Sequence, residues 1–310
     1  MERDSAAKSR LFVLHASPPL IGYVPPLEPT LVEAPPNGPE WIHEIKHDGY
    51  RSLVAINGDD VRVFTKKGHD YTRQFAPIAA AAAKLGCPKA LLDGETIVQD
   101  ETGRSDFRAL RGAIAGEPHR LVFYGFDALW IDGEDLRRMG CEERRARLHA
   151  LLGSHDPASP LQFSEAVNSD GGAVLEMACQ MGLEGIVSKR RDSKYRSGKS
   201  LSWLKTKCLV ENTYVVIGAE HEPGKPAFAL LASEDGPALN YVGSAFVTLG
   251  GADRDRFWDA VERHAAANPP LNLVGHKKAR WVRPEIRVRV EHLKEPGKLR
   301  HAKIRELVAL

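Results

Sequence analysis

The chain has 310 residues, 43% hydrophobic and 27% charged, with 43 Lys and Arg against 41 Asp and Glu, a formal charge of +2. At roughly 150 residues per domain that length suits two cores. No run approaches the ~18 apolar residues of a membrane span, and the N-terminus lacks the basic flank and apolar run of a secretory signal. The expectation is a soluble, cytoplasmic, two-domain protein with no membrane partner.

The first forty residues are rich in proline, which predicts an extended segment laid over the surface or a partly disordered lead-in, with residues 1–25 as that lead-in. The pattern then predicts a strand over 41–46 and a hairpin of 52–56 with 61–65 around Asn57-Gly58. An alanine-rich helix follows over 75–85, ending at Gly86. Strands are expected over 90–99 and 121–131 with a short helix over 107–113 between them, then helices over 141–152 and 172–181 and strands over 185–189 and 202–207. After about Val210 the texture becomes short strands (214–218, 228–232, 239–243, 281–290) with one amphipathic helix over 254–267, as suits a small barrel. The domains expected are therefore 26–210 and 211–310.

Charge is distributed unevenly. From Lys189 to Lys207 eight cations face only Asp192, and from Lys277 onward Lys277, Lys278, Arg280, Arg300 and their neighbours outnumber the acids. Such blocks suit a polyanion, although a solvated surface is the commoner origin of any one of them. Cys87, Cys141, Cys179 and Cys208 lie far apart without a C-x-x-C pair, so neither a zinc site nor a disulfide framework is expected.

The sharpest local feature is Glu44-Ile45-Lys46-His47-Asp48-Gly49-Tyr50-Arg51. On a strand Glu44 and Lys46 share a face, and the Asp48-Gly49 turn returns Arg51 toward it. A lysine beside other cations and shielded from water has a lowered pKa and becomes a nucleophile; the bland alternative is a surface strand. Four further segments weigh against that alternative. Asp93 and Glu95 share one face of an apolar strand and need a cation, metal or hydroxyl partner. Phe126 precedes Asp127, Glu184 and Lys189 end one strand, and Lys205 and Lys207 lie at period two, a repulsive pair unless an anion sits between them. Together they supply a nucleophile, phosphate-neutralising cations, acids for a divalent metal and an aromatic for a base, as phosphoryl or nucleotidyl transfer requires. Gly198-Lys199-Ser200 is a decoy, because the first glycine of a P-loop would fall at Ser193. His292 and His301 read as surface or packing residues.

The ordered set Lys46-x-Asp48-Gly49-x-Arg51, Asp93-Gly94-Glu95, Phe126-Asp127, Glu184-Gly185-x-x-x-Lys189 and Lys205-x-Lys207 resembles the motifs of the ATP-dependent DNA ligases, and most closely the ligase domain of bacterial DNA ligase D. The likeness runs from about Pro26 to the C-terminus. It implies an α+β nucleotidyltransferase (adenylation) domain of antiparallel sheets and helices followed by a small OB-fold β-barrel. It also implies that Lys46 attacks the α-phosphate of ATP, that AMP passes to the 5′-phosphate of nicked double-stranded DNA, and that the 3′-hydroxyl displaces it. Glu44 would read adenine, Phe126 would stack on it, and Arg51 and Glu95 would hold the ribose. Glu95 and Glu184 would support Mg2+ or Mn2+. Lys189, Lys205 and Lys207 would neutralise phosphate and lower the pKa of Lys46. Arg196, Lys199, Lys277, Lys278 and Arg300 would bind DNA.

The sequence departs from that family at three places. Lys66 and Lys199 stand where arginine is usual, so Lys66 offers a point charge to the nucleotide in place of a planar fork. The chain reaches Leu310 without the acidic-plus-lysine ending of many relatives, which suggests slow self-adenylylation or reliance on Lys298, Arg300, Lys303 and Arg305. The expectation is a stand-alone monomer that acts alone or with end-binding or repair polymerase proteins in trans. An RNA ligase or capping-type nucleotidyltransferase is the nearest rival, and a non-catalytic nick-binding clamp is the rival from another class.

Overall fold

The computed structural model describes residues 21–153, 156–236, 238–273, 275–294 and 298–309, so most of the expected lead-in lies outside the described residues. In chain order the strands are β1 (Leu27–Leu31), β2 (Trp41–Ile45), β3 (Tyr50–Asn57), β4 (Asp60–Thr65), β5 (Lys89–Ile97), β6 (Val122–Ile131), β7 (Glu134–Asp135), β8 (Leu161–Phe163), β9 (Ala166–Val167), β10 (Gly185–Arg190), β11 (Gly198–Lys207), β12 (Leu209–Glu220), β13 (Phe228–Asp235), β14 (Ala238–Val247), β15 (Arg280–Trp281), β16 (Arg287–Leu293) and β17 (Lys303–Ala309). The helices are α1 (Ala76–Ala82), α2 (Phe107–Gly116), α3 (Cys141–Leu152), α4 (Gly171–Gln180) and α5 (Gly251–Arg263). None of the described helices is long and apolar enough to cross a membrane.

The architecture is α+β. One sheet runs β1-β11-β10-β2-β9; the other runs β4-β3-β5-β6-β7, with β8 also paired to β6. Strand β3 explains how they stack. Its run Leu53-Val54-Ala55-Ile56 is buried on both faces, as a continuous apolar strand must be. Leu53 and Ala55 pack with Leu27, Leu91, Phe126 and Trp203 between the sheets, while Val54 and Ile56 join Phe75, Ile78, Leu110 and Leu148 of the helical layer. On the outer side of the first sheet, α4 packs Val174 and Ala178 against Ile186 and Cys208. Asp106 caps α2 by accepting from the Arg108 and Ala109 amides, and Asp170 caps α4 through Ala173.

The C-terminal strands pair in the order β12-β13-β14-β17-β16 and return to β12. The β14–β17 pair is parallel and spans only two residue pairs, so the barrel is partly open, as expected of an OB-fold. Helix α5 closes one side with Phe257, Ala260 and Val261 against Val216, Val288, Val290 and Ile304.

Several expectations are corrected. The proline-rich stretch contains β1, which pairs parallel to β11 at a sheet edge where Pro29 is tolerated. The strand expected over 281–290 is two, β15 and β16, because Pro284 cannot donate and Glu285 turns back to the Arg283 carbonyl. Strand β12 is longer than its apolar run because it pairs with β13, β15 and β16, and β17 was not anticipated. Cys179 and Cys208, 29 residues apart, form a disulfide, against the expectation of none; packing of α4 on β10 and the β11–β12 junction brings them together.

Candidate active site

The Lys46 motif begins where β2 ends. The Lys46 amide still donates to the Gly185 carbonyl (2.9 Å), so the nucleophile candidate extends the ladder with β10. Antiparallel register sets Glu44 opposite Val187 and Val187 opposite Lys205, which carries one face across three strands. Gly185 permits this: a Cβ there would collide with the Thr206 carbonyl, and its φ is +148°. On the other sheet Arg51 of β3 lies opposite Glu95 of β5, and Glu95 opposite Tyr124 of β6. Between the sheets opens a cavity of about 210 Å3, lined by Glu44, Lys46, Arg51, Lys66, Glu95, Phe126, Lys189 and Lys205, with Trp203 and His47. The expected nucleotide residues are thus gathered in one place, except that Lys207 approaches through Glu184.

At the inner end, Glu44 is 2% exposed and held by Lys189 Nζ (2.6 Å), Arg145 (2.7 Å) and the Ser164 hydroxyl (3.1 Å). Lys189 Nζ also donates to the Phe126 carbonyl and lies 4.4 Å from the Phe126 ring centroid. Burial lowers the Lys189 pKa, and Glu44 opposes that shift. This differs from the expectation that Lys189 would sit with Lys205 and Lys207: it stands beside the aromatic ring, paired to Glu44.

At the outer end, the Lys46 ammonium contacts Glu184, whose other oxygen is 3.3 Å from Lys207 Nζ. Burial pushes the Glu184 carboxyl up, but Lys46 and Lys207 outweigh it and hold it below the usual range. The anion expected between close lysines is thus partly supplied by the protein. Burial, then Lys46 and Lys207, lower the pKa of Lys205; burial lowers that of Lys207, with Glu184 opposing. Lys66 reaches Glu28 of β1 (2.7 Å). Burial and the neighbouring Lys46 push the His47 imidazole down to about 4, so it is neutral, stacked on Tyr124 at 4.3 Å.

Glu95 is the candidate metal ligand. No protein group among the described residues hydrogen-bonds or ion-pairs with its carboxylate, which burial pushes up to about 7; Lys46 and Arg51 oppose the shift, and Glu184 and Asp48 add to it. A desolvated carboxylate without a partner fits a divalent cation. The described residues contain no group of three or more His, Cys, Asp or Glu able to hold a metal. An ion on Glu95 would therefore take most of its ligands from phosphate and water oxygens, as Mg2+ commonly does, and Glu184 would join it by releasing Lys46 or Lys207.

The DNA-binding candidates are dispersed. Arg196 and Lys199 are exposed before and on β11; Lys277 and Lys278 are exposed before β15, with Lys278 paired to Glu222 (3.0 Å). None of these four lines the cavity. Arg300 instead pairs with Asp48 and lines a second cavity of about 190 Å3, which includes Glu184 and shares Lys46 with the first.

Sequence reading missed Arg145, the second cation on Glu44. Its only signal is spacing: Arg144 and Arg145 fall on the face of α3 that carries Cys141 and Leu148, and all four are buried. Arg144 is fully buried against Asp127 (2.7 Å). Tyr195 was also missed; it donates to Asp93 at 2.7 Å.

Residues 29–207 match the family model of the ATP dependent DNA ligase domain. The chain is 36% identical over 278 residues to the multifunctional non-homologous end joining protein LigD of Pseudomonas aeruginosa, a match covering 86% of this chain and 33% of that protein. It is 34% identical over 238 residues to a DNA ligase of Natronomonas pharaonis, covering 71% and 42%. Among solved structures it is similar to the ligase domain of M. tuberculosis LigD, with a TM-score of 0.55 at 26% identity, covering 91% of this chain and 94% of that one. A mycobacterial DNA ligase D complexed with ATP and MES gives 0.53 at 26% identity, covering 91% and 95%. The chain spans about a third of the length of the LigD relatives it matches.

Proposed function

Since this chain belongs to the ATP-dependent DNA ligase family, we propose that it seals nicks in double-stranded DNA through a lysine–AMP intermediate on Lys46. The observation that carries this reading is the position of Lys46 at the wall of a cavity whose inner end is aromatic and polar and whose outer end is cationic.

ATP enters with its base at Phe126. Glu44 accepts from the exocyclic amine while Lys189 donates to the neighbouring ring nitrogen, an acceptor–donor pair that suits adenine. Arg51 and Glu95 face the ribose. Lys46 first gives up a proton of its ammonium to solvent. The free amine Nζ then attacks the α-phosphate, the bond to pyrophosphate breaks, and a second proton leaves to solvent as the phosphoramidate forms, the charge of the departing pyrophosphate being met by Lys66 and Lys205. Lys207 and Lys46 hold Glu184 between them, which fixes the ammonium stem at the cavity wall. A bound Mg2+ or Mn2+ on Glu95 and Glu184 would withdraw charge from the phosphate oxygens. AMP then passes to the 5′-phosphate of the nick, and the 3′-hydroxyl displaces it to form the phosphodiester bond. Arg196, Lys199, Lys277, Lys278 and Arg300 contact the DNA backbone. Similarity to the multifunctional non-homologous end joining proteins LigD supports a role in that repair, with end-binding or polymerase partners in trans. We read the protein as a cytoplasmic monomer, nucleoid-associated while acting, with an adenylation domain over 26–210 and the barrel over 211–310.

The test is intact-protein mass spectrometry after incubation with ATP and divalent metal, repeated after adding nicked DNA. A gain of one AMP at Lys46, discharged by the nick, supports the reading. Labelling by GTP alone would transfer the protein to the capping class, and salt-sensitive nick binding without any adduct would make it a clamp.

A further inference from the structure

We propose that Tyr195 is a positioning residue for Arg51: with Asp93, it determines which edge of the guanidinium is offered to the bound nucleotide. This rests on the nucleotide-binding reading above.

Four groups form a closed hydrogen-bonded circuit. Arg51 Nε donates to Asp93 Oδ1 at 2.5 Å, and Arg51 Nη2 donates to Asp93 Oδ2 at 2.7 Å and to the Leu27 carbonyl at 3.2 Å. The Tyr195 hydroxyl donates to Asp93 Oδ2 at 2.7 Å and accepts from the Leu27 amide at 2.9 Å. Each segment comes from a different place: Leu27 from β1, Arg51 from β3, Asp93 from β5 and Tyr195 from the β10–β11 connection. Asp93 is fully buried and Tyr195 is 5% exposed, so the circuit is shielded from water.

A guanidinium can meet a carboxylate along either of two edges. Here the carboxylate takes the Nε–Nη2 edge, and Nη1 has no part in the circuit. The group lies 4.4 Å from the Phe126 ring centroid at the cavity wall. Tyr195 fixes this choice, because its hydroxyl engages the same oxygen as Nη2 and is itself anchored by the Leu27 amide. Burial and the Asp93 charge raise the Tyr195 pKa, so it remains a donor throughout the working range. Tyr195 does not line the cavity, so it acts on the nucleotide through Arg51. Its loop joins the strands bearing Lys189 and Lys205, which ties the aim of Arg51 on one sheet to the lysines of the other.

Tyr195→Phe keeps the ring perpendicular to Trp203 and under Arg144 while removing the hydroxyl. Single-turnover self-adenylylation is measured against ATP concentration for wild type, Tyr195→Phe, Arg51→Lys and the double variant. The half-saturating ATP concentration should rise about tenfold in Tyr195→Phe, the loss of one charge-assisted hydrogen bond, with the maximal rate changed by no more than about twofold. The double variant should be no worse than Arg51→Lys alone. A merely structural role would lower the melting temperature and the adenylylatable fraction without moving half-saturation, and penalties that multiply in the double variant would also overturn the proposal. If Tyr195→Phe does not fold, nitrogen NMR of the wild type decides: hindered rotation of the Arg51 guanidinium supports the circuit, and free rotation overturns it. Absence of any AMP adduct in the wild type would remove the nucleotide reading and this proposal with it; an adduct with unshifted half-saturation in Tyr195→Phe removes this proposal alone.

Discussion

Arg300 of the barrel and Asp48, two residues beyond Lys46, form an ion pair across 252 positions of sequence, with Nη2 3.1 Å from Oδ1. The same guanidinium lies 4.6 Å from the ring centroid of Phe107. The barrel is therefore seated at the mouth of the Lys46 site through a charged pair braced by an aromatic ring. His301 follows in a left-handed backbone conformation (φ +53°).

If that pair holds the barrel in place, Arg300→Gln and Asp48→Asn should each loosen it by about 1 kcal/mol, the range of partly exposed pairs. The double variant should be no looser than either single one. Energy transfer between dyes on the two units would measure this, and additive effects would mean the two residues act separately.

If Glu95 holds the divalent cation, cation binding should depend on pH. Its carboxyl is raised from 4.5 to about 7, so the protonated form is favoured in the folded chain. That contribution to stability is complete below pH 4.5 and is lost as pH rises through 7. A cation needs the ionised form, so Mn2+ affinity followed by paramagnetic resonance should fall about tenfold per pH unit below 7 and level off above it. Glu95→Gln should weaken binding and abolish the slope. An affinity that is flat from pH 5 to 8 in the wild type would contradict this.

Lys189 and Lys205 should behave differently although both are cavity lysines. Lys189→Met leaves Glu44 with Arg145 and Ser164 only, and should weaken the competition of adenosine with ATP on the order of 100-fold, as breaking a buried charged pair does. Lys205→Met should leave adenosine binding unchanged and slow the adenylylation step. Equal effects on adenosine would place both lysines at the same end of the nucleotide.

The disulfide should be visible as reductant-sensitive stability. Closing a loop of 29 residues is worth about 3–4 kcal/mol in the chain-entropy picture. Urea unfolding with and without a dithiol should differ by that order in the wild type and not at all in Cys208→Ser. Identical curves for the wild type would show that the bridge contributes nothing to stability.

Local signals carried much of this site into view. Period two placed Glu44 beside Lys46 and Lys205 beside Lys207, and Asn57-Gly58 marked the turn that lets β3 and β4 pair. What the sequence could not display were pairings between distant segments. Lys189 ends up beside Phe126 because antiparallel register sets it opposite Ile42 and Trp203. Arg145 reaches Glu44 from a helix 101 residues later, and nothing near either residue signals the other. The strand at Leu27 was hidden by its prolines, whose edge position excuses their missing donors.

The Cys179–Cys208 bond also changes how mechanical load crosses the molecule. Cys208 is the residue joining β11 to β12, so tension on the barrel would otherwise run through the hairpin that carries Glu184, Lys189, Lys205 and Lys207. With the bond in place, the taut path goes from the barrel directly to the end of α4, and the hairpin hangs as a slack closed ring. Pulled from its two ends, the oxidised chain should fall short of full extension by about 100 Å, the contour of those 29 residues. A pull on the barrel along the covalent chain therefore reaches the end of α4 without passing through the strands that carry Lys189, Lys205 and Lys207.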